Sequence, residues 1–583
     1  MRLLNCATLE LEEWVQSPPR YAILSHTWSD NEVTLEDMKD LSKARQMKGY
    51  AKIQATCQMA MSQGIRYAWI DTCCIDKSSS AELSEAINSM FALYQGSTVC
   101  YVFLSDYRHA PDFEMTEEDI VDSFKTFTDV ERGFSDPLPL TSTQVDIRLR
   151  IRKALGKCRW FYRGWTLQEL IAPRVVEFYD QNWFCFGSKL QLAPILSWIT
   201  SIDEAVLNGS PLDQVLVGRR MSWAANRQTR RVEDMAYCLF GIFDINLPLL
   251  YGEGNKAFIR LQEEIVRSSN DLSIFAWTAT MSDHRAFRSL WASSPSEFKS
   301  CRWLVKPAIE WNGGGEYGMT SRGLRTLNMI RIVRGVQSRT GSYFLPLDCV
   351  DAREPKNIRF VSLEQYGPSL FARRKPWLYD TVVDLEVSRA SKLPQPQFIC
   401  CKESSDLNDM VKMSRVESVK IELSVETMEI LEETSVVAHP EIDWDFRNSI
   451  LLSYRRPQFW GYWKIRTIVG GPGICIVCAH VNGWPVYGVF AWDQVPAGLE
   501  QSDLLPSRVA DILLNYNALD RTSATCHPWR HTVDLSSREL DVGGKSVPYT
   551  VLQIRSERLN KPSQPDDRKS ARRIIRRLFN RGF

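Results

Sequence analysis

Apolar positions in the first 180 residues follow two rhythms that alternate along the chain. Short, nearly unbroken apolar runs are found at Tyr21-Ala-Ile-Leu-Ser25, Arg66-Tyr-Ala-Trp-Ile-Asp71, Thr98-Val-Cys-Tyr-Val-Phe-Leu104 and Val175-Val-Glu-Phe-Tyr179. Runs of that length and continuity predict strands buried on both faces. Between them the spacing changes to that of helices. Residues Tyr50 to Gln63 place Ile53, Cys57, Ala60 and Met61 on one face, with Gly64 as a stop. Residues Ser79 to Gln95 place Leu83, Ile87, Met90, Phe91 and Tyr94 on one face, and Ser79 followed by Glu82 has the form of a capping box. A further short helix around Glu169 must end before Pro173. Residues 108–157 are charged and without pattern, and read as an insertion. Strand–helix alternation with apolar strands predicts an α/β domain: a parallel sheet covered by helices on both faces, over residues 1–215.

Beyond it, residues 216–280 read as a helical extension. Thr229 can cap a helix with Val232, Met235, Ala236, Leu239 and Phe240 inside. The turn Gly252-Glu-Gly-Asn255 opens a second helix, Lys256 to Ser268. Two glycines before a helix can seat a phosphate, although Glu253 would repel it; a plain turn also explains them. From about 281 to 555 the pattern becomes short alternating segments, such as Leu324–Val333, Val382–Val387, Ser418–Ser424 and Val486–Trp492, and predicts a β-rich domain, sandwich or barrel-like. Residues 556–583 form a tail. From Arg568 onward, Arg572, Arg573, Arg576 and Arg577 fall on one side, with Ile574, Ile575, Leu578 and Phe579 on the other. Such a basic amphipathic helix can lie on an anionic membrane surface or pack on its own domain.

Composition narrows the classes. The chain has 583 residues, 44% hydrophobic and 24% charged, with Lys+Arg 71 against Asp+Glu 70 and a net charge of +1. That profile is globular, and it lacks the basic field that holds nucleic acid. The opening Met1-Arg-Leu-Leu-Asn-Cys-Ala-Thr-Leu-Glu turns acidic too early for a secretory signal, and no run is long enough to span a bilayer. An intracellular, cytoplasmic location is therefore expected. Fifteen cysteines in so long a chain make no disulfide framework. Cys475 and Cys478, with His480, Cys526, His527 and His531, have zinc-like spacing. On a buried strand, however, Cys475 and Cys478 would face opposite sides.

Candidate chemistry concentrates in Cys158-Arg-Trp-Phe-Tyr-Arg-Gly-Trp-Thr-Leu-Gln-Glu-Leu-Ile-Ala-Pro173. Glu169 is the one acid there, four residues from Trp165 and so on the same helical face. A nearly bare carboxylate beside an indole is costly unless it is hydrogen-bonded, used, or paired with Arg159 or Arg163. In parallel α/β sheets ligands bind past the carboxyl ends of the strands. Those ends carry His26, Thr27 and Trp28, then Asp71, Thr72 and Cys73, then Ser105 and Asp106. His26, Trp28, Asp71, Cys73, Arg163 and Trp165 are the candidate substrate-binding residues, with Glu169 the catalytic candidate. No metal ligand is assigned.

The blocks Tyr21-Ala-Ile-Leu-Ser-His-Thr-Trp28, Tyr67-Ala-Trp-Ile-Asp-Thr-Cys-Cys-Ile-Asp-Lys77 and Arg163-Gly-Trp-Thr-Leu-Gln-Glu-Leu-Ile-Ala-Pro173 resemble the fungal heterokaryon-incompatibility (HET) domain. So do Arg220-Met-Ser-Trp-Ala-Ala225 and Leu247-Pro-Leu-Leu-Tyr-Gly-Glu-Gly254. The resemblance spans roughly residues 1–280. Leu93 departs from it, where an aromatic is expected. It implies an effector of vegetative incompatibility, triggering cell death when non-self cells fuse and acting with an incompatibility partner protein. No Gly-x-x-x-x-Gly-Lys-Ser/Thr and no fixed-period repeat is present to act as the family's usual sensor. More distantly, Trp165-x-x-x-Glu-Leu170 and the alternating sheet are similar to the Toll/interleukin-receptor (TIR) domain, which implies a TIR/flavodoxin-like fold. In members of that family that cleave NAD, the matching glutamate is catalytic. Thr166 stands where that family often has Cys.

This second resemblance implies that Glu169 cleaves NAD, with NAD as substrate and no cofactor required. Nicotinamide leaves as a neutral molecule, so what needs help is the oxocarbenium-like ribosyl, which a carboxylate in a low-dielectric pocket stabilises. Trp28 or Trp165 can stack on a base, and Arg163 can hold a phosphate. The alternative is a non-enzymatic signalling module that self-associates or recruits a death-pathway partner, for which Glu82, Glu85 and Asn88 offer a polar helix face.

Overall fold

Short apolar runs become strands here because each finds a neighbour on both sides. The computed structural model describes residues 1–109 and 152–308, apart from Gln16, Met281 and His284, and, with short interruptions, 315–559. The N-terminal sheet contains β1 (Arg2–Asn5), β2 (Leu11–Glu13), β3 (Tyr21–His26), β4 (Tyr67–Trp69), β5 (Val99–Phe103), β6 (Val176–Tyr179) and β7 (Cys185–Ser188). They lie in the order β2-β1-β4-β3-β5-β6-β7. The central β4, β3, β5 and β6 are parallel, while β1, β2 and β7 join antiparallel at the edges. Taken in chain order the parallel strands run 2-1-3-4, so the order reverses around β3. That reversal opens a crevice past the strand ends. Every residue of β3 and β5 is buried.

The predicted helices form as Tyr50–Ser62 and Ser80–Gln95. Ser79 Oγ accepts from the Glu82 amide at 3.3 Å, which is half of the expected capping box. The Glu82 carboxylate instead accepts from the two terminal guanidinium nitrogens of Arg2, at 2.5 and 2.8 Å, and from the Asp76 amide. Asn88 exchanges hydrogen bonds with the Leu247 backbone. Two of the three polar side chains read as an assembly face are thus bound within the chain. Met61, expected inside, is 51% exposed.

The extension departs from the single long helix expected after Thr229. Two short helices form instead, Asp234–Tyr237 and Phe240–Phe243, the second ending at Asp244 in the left-handed region. Val232 is exposed, and Thr229 Oγ1 donates to the Arg231 carbonyl rather than capping. The glycine turn before the helix Lys256–Ser268 holds no free anion seat. Glu233 Oε1 accepts from the Gly252 and Gly254 amides at 2.9 and 3.0 Å, so a carboxylate of the chain already fills the nest.

The core does not break near residue 280. Leu324, Tyr343, Leu347 and Phe371 of the following sheet share one apolar cluster with Leu3, Trp69 and Phe178. Arg373 lies 3.7 Å over the Trp277 ring and donates to the Phe275 and Trp277 carbonyls, joining the sheet to the chain before it. Further on, a six-stranded and a four-stranded sheet face each other across Trp444, Trp463, Ile476, Cys478 and Leu552, forming a sandwich. The helix Pro506–Leu514 covers the outer face of the smaller sheet, where Cys475 is buried. Cys475 and Cys478 therefore sit in different cores, and the pair cannot share an ion. Among the described residues no helix is long and apolar enough to cross a membrane. Most of the expected insertion and the basic tail lie outside the described residues.

Gly241 is where the extension meets the helix Ser80–Gln95: a Cβ there would fall 2.1 Å from Phe91 Cβ. Helix propensity alone favours alanine by about 1 kcal/mol. Overpacking reverses the sign, so Gly241→Ala should destabilise by roughly 1–3 kcal/mol in chemical denaturation. An unchanged or higher midpoint would contradict the close packing.

Candidate functional site

A cavity of about 610 Å³ opens past the carboxyl ends of β3 and β4, between the sheet and the helical extension. Thr27 and Trp28 reach it from the end of β3, Asp71 from the end of β4, and Tyr94 from the helix beneath. Arg163, Trp165 and Glu169 come from the helix Thr166–Ile171 and its approach. The strap 228–231, with Asp234 and Tyr251, closes the far side.

The Glu169 helix is short, and all six of its residues are buried. It is tied at both ends by cations. Lys189 Nζ donates to the Leu170, Ile171 and Pro173 carbonyls at its C-terminus. Arg227 donates to the Arg163 carbonyl and to Thr166 Oγ1, both at 2.9 Å, at its start. Gly164 allows the strap to approach: its amide donates to the Gln228 carbonyl at 2.8 Å, and a Cβ there would sit 2.5 Å from Thr229 Cγ2.

Glu169 is 8% exposed and has no cationic side chain within ion-pair distance among the described residues. Arg159, one expected partner, pairs with Asp106, and Arg163 donates to the His26 carbonyl at 2.8 Å. The carboxylate oxygen Oε2 accepts instead from Ser25 Oγ, which itself accepts from Trp160 Nε1 at 2.7 Å. Burial is the main influence and pushes the Glu169 carboxyl up to about 7. Ser25, the Arg163 charge and Tyr94 oppose that rise, while the Asp71 charge adds to it.

On the opposite wall Trp28 Nε1 donates to Asp71 Oδ2 at 2.8 Å, and Lys77 Nζ lies 3.7 Å over the Trp28 ring. Burial pulls the Lys77 ammonium below its ordinary range, against the charge of Asp71. Asp71 Oδ1 is buried with no hydrogen-bond partner, leaving an acceptor at the cavity. Tyr251 donates to Asp234 Oδ1 at 3.0 Å, and Arg231 lies 4.3 Å over the Tyr251 ring. The cavity so combines aromatic faces, cations at its rim and a desolvated acid on its floor.

Five of the seven residues expected from the sequence meet here: Glu169, Trp28, Asp71, Arg163 and Trp165. Two do not. Cys73 turns under the sheet, its amide bonded to the Ile70 carbonyl, and is wholly buried. His26 faces away: its Nε2 lies 3.7 Å from Glu32, which is paired with the buried Lys52. Burial raises Glu32, but His26, Lys52 and Ser29 together hold it well below the usual carboxylate range. Sequence reasoning missed Ser25, Lys77 and the strap. Ser25 carried a signal, as a lone hydroxyl inside an apolar strand. A larger cavity of about 1240 Å³ lies beside Arg220 and Lys189 and includes none of these strand-end residues.

Residues 21–169, which supply this cavity's floor and one wall, match the family described as heterokaryon incompatibility protein (HET). Residues 256–309 match a domain of unknown function, DUF8212. Over 258 residues the chain is 43% identical to the vegetative incompatibility protein HET-E-1 of Podospora anserina, covering 44% of this chain and 17% of that protein. The chain thus spans less than a fifth of that relative's length. No solved structure matches.

The raised carboxyl has a sign that can be checked. A folded-state value near 7 against an ordinary 4.5 means that ionisation is harder in the folded chain. Stability due to Glu169 is therefore lost as pH rises through this interval. Between pH 5 and 8, wild type should lose on the order of 2 kcal/mol relative to Glu169→Gln in chemical denaturation. Parallel curves would contradict a desolvated acid.

Proposed function

We propose that this chain acts in heterokaryon incompatibility and that its HET domain cleaves the nicotinamide–ribose bond of NAD, with Glu169 as the catalytic carboxylate. The observation that carries the reading is one desolvated acid, without an ion-pair partner, lining a cavity past the carboxyl ends of the parallel strands β3 and β4. The strand order 2-1-3-4 is that of the flavodoxin-like class, which supports TIR-like kinship. An acid without a counter-ion is free to meet a cationic nicotinamide ring and then the ribosyl cation, which water captures at C1′, losing a proton, once neutral nicotinamide has left. Low dielectric strengthens that attraction. Trp28 and Trp165 offer stacking faces, and Arg159, Arg163 and Arg231 offer charge for the pyrophosphate. Consumption of NAD would then be the lethal event after fusion of incompatible cells.

The test is nicotinamide release from NAD by the purified full chain. Glu169→Ala should lower kcat/KM roughly a hundredfold or more. Because the anion does the work, wild-type kcat/KM should rise with pH and level off above about 7. Turnover by Glu169→Ala equal to wild type would remove Glu169 from the reaction. No turnover by wild type, together with undiminished toxicity of Glu169→Gln in cells, would favour the non-enzymatic signalling module instead.

A further inference from the structure

We infer that Ser25 is a positioning residue, oriented by Trp160, that fixes the Glu169 carboxylate and favours its ionised form; this rests on the role proposed for Glu169. Trp160 Nε1 can only donate, and it donates to Ser25 Oγ at 2.7 Å. With that side of the hydroxyl engaged, its proton is directed to Glu169 Oε2. The indole is wholly buried and packs edge-on against Phe161 and Phe178, so its N–H direction is set by the core. Ser25 is itself 0% exposed and stands mid-sheet in β3, held by parallel pairing to β5. A rigid core thus delivers a single oriented O–H to one oxygen of the acid. Oε1 is left as the oxygen not taken by Ser25.

The other titratable groups around this carboxyl are accounted for. Tyr94 faces it from the helix Ser80–Gln95, and its hydroxyl donates to the Leu24 carbonyl at 3.3 Å. Cys100 of β5 lies at the Glu169 backbone, Asp71 faces it from the end of β4, and Arg163 and Arg227 flank its helix. Tyr94 also helps the ionised form by hydrogen bonding, but less than Ser25 does; Ser25 is the donor whose direction the buried indole fixes, which is why removing it should move the titration rather than merely loosen the fold.

Two independent readouts test this. In Ser25→Ala, the titration of Glu169, read from the pH dependence of unfolding against the matching Glu169→Gln background, should move up by about one pH unit. In NAD cleavage, kcat/KM of Ser25→Ala should fall about fivefold at pH 7 and recover towards wild type above pH ~9, because the lost activity is lost ionisation. Ser25→Thr, which keeps a hydroxyl, should restore the wild-type midpoint. Trp160→Phe, which frees the hydroxyl to turn, should move it part of the way. An unshifted unfolding midpoint in Ser25→Ala, or an equal loss of kcat/KM at every pH, would overturn the inference. Absence of NAD cleavage by wild type would instead sink the reading of Glu169, and the unfolding titration would still decide the Ser25 coupling.

Discussion

A carboxylate without a counter-ion, buried on the floor of a cavity, sets the terms for the architecture around it. Moving such a group out of water is costly unless hydrogen bonds or more distant charge compensate. Here the compensation is partial by construction. Ser25 supplies one hydrogen bond, Arg163 contributes charge from a position committed to the His26 carbonyl, and Arg227 is spent on the Arg163 carbonyl and Thr166. The cations that could have neutralised Glu169 are therefore held at backbone carbonyls nearby. That arrangement keeps the acid near neutrality in its titration and leaves its charge for whatever enters the cavity.

The same constraint explains why the domain and the extension are one unit. Gln228, Thr229 and Arg231 close a wall that the sheet cannot provide, and Gly164 admits them at backbone distance. Asn88 to Leu247 and Phe91 to Gly241 tie the extension to the helix Ser80–Gln95. Residues 275–277 continue the tie by giving their carbonyls to Arg359 and Arg373 of the next sheet. The cavity's geometry thus depends on contacts made far beyond residue 169.

Much of this was legible in the sequence because strands and helices of the α/β layer are marked by apolar spacing. The four parallel strands, the two long helices and the helix Lys256–Ser268 fall within a few residues of expectation. Glu169 stood out because an isolated acid in an apolar run breaks the pattern, and the strand-end rule located Trp28 and Asp71. What failed depended on rotation or on long-range partners. The strand β3 runs one residue further than expected and takes in His26, whose ring turns towards Glu32, and period-two logic does not reach past the end of β4 to show that Cys73 is buried. The helix expected after Thr229 starts only at Asp234 and is interrupted at Cys238 and Leu239, while Glu233 just before it is engaged by the distant Gly252 and Gly254 amides. Ser25 and Glu169 are 144 positions apart, and no local pattern joins them.

The chemistry of the cavity turns on the titration of one side chain. Infrared difference spectra of wild type minus Glu169→Gln, collected across pH, isolate the carboxyl band of Glu169. The protonated band should persist past neutrality, with a midpoint near 7. A midpoint in the ordinary carboxylate range, near 4.5, would show a solvated or ion-paired acid and contradict the desolvated site on which the proposed chemistry rests.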